Sequence, residues 1–517
     1  MPSDREAEPE HRPVWREWSA ERRLAPRQRV VVAALGAAVA AGLVLVPGAT
    51  LPIIVGALTL LFVGTTFLKA AYFVVGYRAR SRSEASDAPP DASGREPSAL
   101  PVYSVLIPLF REANVVPELL DSLERLSYPA DLLEVLLLVE HDDPDTRSAC
   151  ERGLRPGWRV VEVPAGGPRT KPRALNVGLS HVTGQLLTIY DAEDRPEPDQ
   201  LQKAVLAFDR HPENVACLQA RLDFYNSGQN LLTKWFACEY ATHYGLYLRG
   251  LAECGHPLPL GGTSCHFRTD VVRRLGGWDP WNVTEDCELG MRLAAAGLES
   301  RTLESVTWEE AMPRLRRWIR QRSRWVKGYA QTGAVMLRAP VRTAAAMGGL
   351  RYLAALATVA AVPLVLLSQV VFWAMLWLYV GLRTGGADVS FIEALFPEPL
   401  LSLAMLSLLA GNFAVLLAHV GAVYQQRRYE LVRYAVVTPV YWLLASIAAW
   451  RGVLQLIWAP HFWDKTAHGL ATEVTVPQAA SSGDGRRSSD GATWSDGRSS
   501  VAGPTPEGHG VPRSTWK

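Results

Sequence analysis

The sequence predicts an α/β domain, built on a parallel sheet covered by helices on both faces and embedded between transmembrane α-helices. Three observations carry that fold class. Residues 30 to 77 contain a single charge, Lys69. Residues 102 to 140 read as a strand, an amphipathic helix and a second strand, both strands continuously apolar, as expected where a parallel sheet is buried on both faces. Each predicted strand also runs into acidic residues, and in open α/β sheets ligands bind beyond the carboxyl ends of the strands.

The chain has 517 residues, 48% hydrophobic and 20% charged, a balance that leans towards a protein partly held in lipid. Its net charge of +2 gives no reason to expect a nucleic-acid partner. Pro47-Gly48 divides residues 30 to 77 into two stretches, each near the ~17–25 residues a crossing needs. A cleaved secretory signal would hold one apolar run of ~7–15 residues, and this region is far longer. Arg22, Arg23, Arg27 and Arg29 precede it, and Arg78, Arg80 and Arg82 follow it. Both flanks are therefore expected in the cytoplasm, with residues 1–29 as an N-terminal segment and 30–77 as two transmembrane helices. The six cysteines lack CxxC spacing and fit reduced thiols.

Residues 78–100 are rich in Pro, Ser and Ala and read as a linker. The soluble domain is expected over 101–340. "VYSVLIPLF" (102–110) and "LEVLLLVE" (133–140) are strands flanking the helical "EANVVPELLDSLERL", and "GQLLTIYDAED" (184–194) supplies another strand. Arg111 and Glu112 follow the first strand, "EHDDPDT" (140–146) the second and "DAED" (191–194) the last. Any one acidic loop is equally well a surface turn or a helix cap.

After residue 340 the apolar content returns, and 341–470 is expected to be a transmembrane and interfacial region. Residues 343–382 form one span or, divided at Pro363, a hairpin; 400–424 form a span; 434–458, with Arg451 inside, form a span or an interfacial helix. The expected total is four to six. Residues 471–517 are Ser/Gly-rich low complexity and read as a disordered tail.

Asp191 and Glu193 lie two apart at a strand end, where a turn aims both carboxylates at one point. Mg²⁺ is commonly held by one or two carboxylates together with substrate phosphates. Thr284-Glu285-Asp286 opens an amphipathic helix. That stretch fits an N-cap by Thr284 or Asp286 and fits equally a carboxylate acting as general base. The Gly-Gly-Thr-Ser turn at 261–264 lets backbone approach a substrate, or is merely tight. Lys171 and Arg173 stand beside a helix start, as a phosphate contact or as a solvated basic loop. In "RQRSRWVKG" (320–328), Gln321 and Trp325 share a helical face with Trp318, and Arg324 adjoins it. A basic helix on anionic lipid and an arginine and indole serving a diphosphate and a sugar ring are both consistent with it.

Taken in order and flanked by spans, Asp191-Ala192-Glu193, Thr284-Glu285-Asp286 and Gln321-Arg322-Ser323-Arg324-Trp325 closely resemble the membrane-integrated family 2 glycosyltransferases, the group of cellulose, hyaluronan and poly-N-acetylglucosamine synthases. The resemblance covers residues 100–340 in detail and the span pattern loosely to 470. It implies a GT-A fold, Rossmann-like and nucleotide-binding, with a nucleotide-sugar donor (usually UDP-linked), a divalent cation (Mg²⁺ or Mn²⁺) and inversion at the anomeric carbon. By position, Asp191 and Glu193 fall on the metal-binding pair and Asp286 on the general base. Glu112, Glu140, Asp142, Asp143, Lys171 and Arg324 fall on the donor side, and Gln321, Trp325, Thr284 and Glu285 on the acceptor side. The metal pair is Asp-Ala-Glu rather than Asp-x-Asp, and the cellulose-synthase gating motif is absent. The nearest stand-in is "HFWDKTAHGL" (461–470), with Lys465, Thr466 and His468. The implied acceptor is a growing polysaccharide; a glycolipid synthase with a lipid acceptor and a non-catalytic membrane scaffold are the rival expectations.

Overall fold

The computed structural model describes residues 15–85 and 100–462, together with 469 and 471. Most of the expected linker, the tail beyond 471, and Lys465, Thr466 and His468 lie outside these described residues.

The soluble domain is built on one eight-stranded sheet: β1 (Tyr103–Leu109), β2 (Leu133–Glu140), β3 (Trp158–Val163), β4 (Leu186–Ile189), β5 (Arg195–Pro196), β6 (Val215–Phe224), β7 (Cys265–Arg268) and β8 (Glu299–Glu309). Their order is β3-β2-β1-β4-β7-β6-β8-β5. The first four strands pair in parallel, as the sequence predicts. The sheet as a whole is mixed, because β7 enters between β4 and β6 antiparallel to both. Strand alternation supplies both faces of the core. Tyr103, Val105 and Ile107 pack with the helix Val116–Glu124, whereas Leu106, Leu136 and Leu138 pack with the helix Lys171–Leu179. Val116, Leu119, Leu120 and Leu123 recur at helical spacing on the first helix, and Pro117 sits in its first turn, where no amide partner is lost. Each such fully buried side chain contributes roughly 1.5–3 kcal/mol of transfer free energy. Leu119→Asp would place a charge in that core.

Among the described residues five helices are long and apolar enough to cross a membrane: Pro26–Leu45, Pro47–Ser81, Gly349–Thr384, Leu400–Gln425 and Thr438–Trp458. The hairpin alternative for 343–382 is not what forms. Pro363 sits inside one continuous helix, and a π turn over Leu356–Ala360 absorbs its missing amide and its ring. The second and fourth helices end side by side, with the Gln425 amide donating to Ser81 Oγ at 3.3 Å. The N-terminal flank docks on the soluble domain, where Ser19 Oγ and the Ala20 N–H donate to buried Asp279 at 3.0 and 2.6 Å.

The fifth apolar helix begins and ends against the soluble domain. Near its start Tyr441 donates to Glu239 at 2.5 Å and meets Trp318, ring to ring, at 4.9 Å. Just past its end Lys327 donates to the Phe462 carbonyl at 2.7 Å, and Gln331 to that of Pro460 at 3.1 Å. Trp318, Lys327 and Gln331 all belong to the helix Leu315–Met336. The fifth apolar helix thus runs alongside Leu315–Met336 and touches it near both ends.

Candidate active site

The carboxyl ends of β1, β2 and β4 open onto a single cavity of about 1020 Å³. Asp191, Glu193, Glu285, Asp286, Arg324 and Trp325 all line it, as do Glu112, Glu140, Lys171, Thr284 and Gln321. The three motifs, far apart in sequence, share one space.

Asp191 and Glu193, the expected metal pair, sit on the turn after β4. Beneath them Asp194 is buried; it accepts the Asp191 N–H at 2.7 Å and the Thr263 hydroxyl. Burial, with Asp191 and Glu193 beside it, pushes its carboxyl well above the usual carboxylate range. Its Oδ1 is buried without a hydrogen-bond partner. Lys171, read from the sequence as a phosphate contact or part of a solvated basic loop, bonds the Asp191 carboxylate and donates to the Gly262 carbonyl at 2.7 Å. Burial opposes its charge, but Asp191, Glu285 and Asp194 outweigh that and hold the ammonium above its ordinary pKa. Lys171 thereby ties the strand-end acids to the Gly261-Gly262 turn.

That turn reaches Asp286. A Cβ on Gly262 would lie 3.2 Å from Asp286 Oδ2 and 3.7 Å from Lys171 Nζ, so a larger residue would intrude between base candidate and cation. The helix Glu285–Ala295 starts without a side-chain cap from Thr284, whose hydroxyl instead lies 3.4 Å from Asn282 Oδ1. The capping explanation of Thr-Glu-Asp is thus not realised by Thr284. Burial raises Asp286, with Lys171 and Arg324 opposing. Glu285 rises to about 8, first through burial and then through the neighbouring Asp286.

The helix Leu315–Met336 closes the cavity from the other side. Gly328 faces Thr284, and a Cβ there would come within 2.5 Å of Thr284 Cγ2, so the helix can approach this closely only at a glycine. Arg324 donates to the Val283 carbonyl at 3.4 Å, and Gln321 Oε1 is buried without a hydrogen bond. The Trp325 indole stacks on Tyr240 at 6.4 Å and lies 6.2 Å from Phe236, with the Arg322 guanidinium 4.4 Å from its centroid. Arg322 also forms a bidentate pair with Glu239. Burial works against the Glu239 charge, but Arg322 and the Tyr441 hydroxyl overcome it and hold the carboxyl low.

Of the residues expected to face the donor, Glu112 accepts the Phe110 N–H at 3.1 Å. Glu140 is buried 3.5 Å from Arg173, and burial raises its pKa against that cation. Asp142 and Asp143 do not line the cavity. Asp143 caps the helix Pro144–Arg152 through the Thr146 N–H at 3.3 Å and binds the Arg111 N–H, so its oxygens are engaged. Asp142 turns outward to Arg169 at 2.7 Å. With Glu140 and His141 it forms a group of possible metal-ligand geometry, but two of those three residues are exposed.

Sequence reasoning missed several cavity residues. Glu239, Tyr240 and Tyr244 come from the largely apolar stretch 231–247, which carries no motif. Glu309, at the end of β8, lines the cavity with its pKa well raised by burial and by Asp194 and Glu193; the strand-end rule that found Asp191 applies to it as well. His461 and Phe462 also line the cavity, with His461 Nδ1 3.1 Å from the Trp281 carbonyl.

Residues 186–387 match the family model described as glycosyl transferase family group 2. A probable glycosyltransferase, YdaM, of Bacillus subtilis is 28% identical over 233 residues, 44% of this chain and 55% of that protein. Glucomannan 4-beta-mannosyltransferase 1 of Oryza sativa is 28% identical over 254 residues, 47% of this chain and 49% of the relative. The chain spans about half the length of the curated relatives it matches. The solved structure of the mannosyltransferase PcManGT from Pyrobaculum calidifontis in complex with GDP-Man and Mn²⁺ is 20% identical, covers 78% of this chain and 99% of that one, and has a TM-score of 0.46.

Proposed function

We propose that the chain works as a family 2 glycosyltransferase, like the plant glucomannan mannosyltransferases it resembles, and that it transfers a hexose, with inversion, from a nucleotide-sugar to a growing β-linked polysaccharide at the membrane. The observation that carries this reading is the joint lining of one cavity by Asp191, Asp286 and Trp325.

In the proposed reaction Asp286 accepts the proton of the acceptor hydroxyl. The oxygen then attacks the anomeric carbon from the face opposite the diphosphate, and the bond from that carbon to the diphosphate oxygen breaks. Its raised pKa brings Asp286 nearer to neutral pH, where a general base works best. Arg324 stabilises the charge that develops on the leaving diphosphate. Glu112 and Glu140 face the nucleoside, and Trp325 with Gln321 holds the acceptor end. The carboxylate set of Asp191 and Glu193, above the unpartnered Asp194 Oδ1, suits a hard divalent cation, and these two residues would hold it. Mg²⁺ or Mn²⁺ there would neutralise the departing diphosphate.

The cavity continues past Trp325 between the apolar helices, where Thr65, Thr66, Lys69, Gln369, Asn412 and His419 line it. A polar route inside an apolar layer favours a polymer leaving along it over a single sugar added to a lipid. With the basic flanks, it supports a reaction on the cytoplasmic side. Purified protein incubated with UDP- and GDP-sugars and Mg²⁺ or Mn²⁺, read for nucleotide release and product mass together, tests the reading. Metal-dependent release with polymeric product is expected; release without a glycan product, or a lipid carrying one sugar, would contradict it.

A further inference from the structure

Glu309 ends β8 on the wall of the catalytic cavity and has no part in the proposed reaction. Strand pairing fixes where it faces. Its register partner in β6 is Phe224, and register partners on adjacent strands point to the same side of a sheet. On that side Phe224 packs against Phe236 at 4.4 Å and Tyr240 at 4.3 Å, and Tyr240 in turn stacks on Trp325. Glu309 therefore stands where the turn carrying Asp191 meets the aromatic wall that ends in Trp325.

Three polar groups of this wall are left for a ligand. Among the described residues the Glu309 carboxylate makes no hydrogen bond or ion pair, whereas the next residue, Glu310, accepts the Gly469 N–H at 2.6 Å. Tyr240 and Tyr244, 7% and 9% exposed, line the cavity, and their hydroxyls bond no described residue. Tyrosine hydroxyls ordinarily find a partner when buried. The Tyr244 hydroxyl also lies close to the base candidate. A Cβ on Gly261 would meet it at 2.5 Å, and one on Gly262 would lie 3.2 Å from Asp286. Burial, and then Asp194, Glu193 and Asp191, work against the Glu309 charge, and Lys171, which attracts it, is already bonded to Asp191. A carboxylate so placed costs stability until a ligand supplies its hydrogen bonds.

We propose that Glu309 is a specificity-determining residue for the acceptor: beside Tyr240 and Tyr244, its carboxylate accepts hydrogen bonds from ring hydroxyls of the acceptor's end sugar. The inference rests on the acceptor reading of Trp325 and adds what reads the hydroxyls. An indole meets the C–H face of a sugar ring, whereas a site built to hydrogen-bond a hydroxyl rejects a sugar that does not present it there.

The test gives the full chain in detergent, with Mn²⁺ and either GDP-mannose or UDP-glucose, two acceptors that differ in the orientation of the C2 hydroxyl, cellotetraose and β-1,4-mannotetraose. Glu309→Gln should raise the KM of the preferred acceptor about tenfold, the loss of a charge-assisted hydrogen bond, and narrow the preference between the two, with kcat and the Mn²⁺ requirement within a factor of about two of wild type. Its unfolding temperature should not fall, because a charge opposed by neighbouring acids is removed. Glu309→Asp keeps the charge but sets it back by one methylene; it should fall between the two and carries the comparison if the Gln variant does not fold. An acceptor KM and preference unchanged in both variants would overturn this assignment alone, as would an altered Mn²⁺ requirement, which would place Glu309 with the metal. Wild type inactive on both tetrasaccharides with both donors would overturn the polysaccharide reading and this inference with it.

Discussion

The helix Glu285–Ala295 carries two charged pairs, one turn apart, and treats them in opposite ways. Glu288 and Arg292 are 0% and 1% exposed, and they close on each other through two hydrogen bonds of 2.7 and 2.9 Å, with Arg292 also donating to the Leu275 carbonyl at 2.8 Å. Glu285 and Asp286 are two like charges side by side, and the cations that face them, Lys171 and Arg324, reach in from other elements across an open cavity. Burial alone does not separate the two pairs. Nor does pKa, since burial raises Glu288 to about 7 and Glu285 to about 8. What separates them is whether the counter-charge is built into the same helix or reaches in from other elements across the cavity.

The contrast is sharpest in stability. Arg292→Met should cost about 3–5 kcal/mol, because Glu288 is left buried and uncompensated. The double variant Glu288→Leu/Arg292→Met should recover most of that loss. Denaturant unfolding in detergent measures both, and a single variant as stable as wild type would erase the distinction.

Glu285 gives the pH arm of the same comparison. Its folded pKa is raised above its unfolded value, so its contribution is fully present below the ordinary carboxylate range and is lost as pH rises towards about 8. Glu285→Gln should therefore gain stability relative to wild type as pH climbs from 5 to about 8 and then level off. A difference that stays flat across this window would mean that Glu285 is as well compensated as a structural acid.

Trp325→Ala tests the opposite wall of the cavity. The acceptor KM should rise about tenfold, a loss of ~1.4 kcal/mol, while nucleotide affinity stays within a factor of about two. Because Tyr240, Phe236 and Arg322 already hold the indole, an equal loss on both substrates would show that it serves packing alone.

Much of this site is legible in the sequence because two of its parts sit at element boundaries and the third keeps to one face of a helix. Asp191 follows β4, Asp286 opens a helix, and the Gln-Arg-Ser-Arg-Trp run has a helical face of its own. Asp143 shows where the same rule fails. A strand-end acid and an N-cap are one residue type in one place, and the cue that separates them is Pro144, which marks a first helical position. Glu239 and Tyr240 were illegible because the pairing of Glu239 with Arg322 joins positions 83 residues apart in a stretch without periodic signal. The fifth apolar helix was ambiguous for a simpler reason. Its composition suits a crossing, and only the contacts of Tyr441 and Phe462 at its two ends place it alongside Leu315–Met336.

The most direct measurement is of Asp286→Asn, comparing sugar transfer with binding of the nucleoside diphosphate in the presence of Mn²⁺. Transfer should fall by about 10²–10⁴-fold, the range for loss of a positioned general base, while nucleotide affinity and unfolding temperature stay close to wild type. Substantial residual transfer, or nucleotide binding lost in step with it, would contradict the assignment of Asp286 as the base.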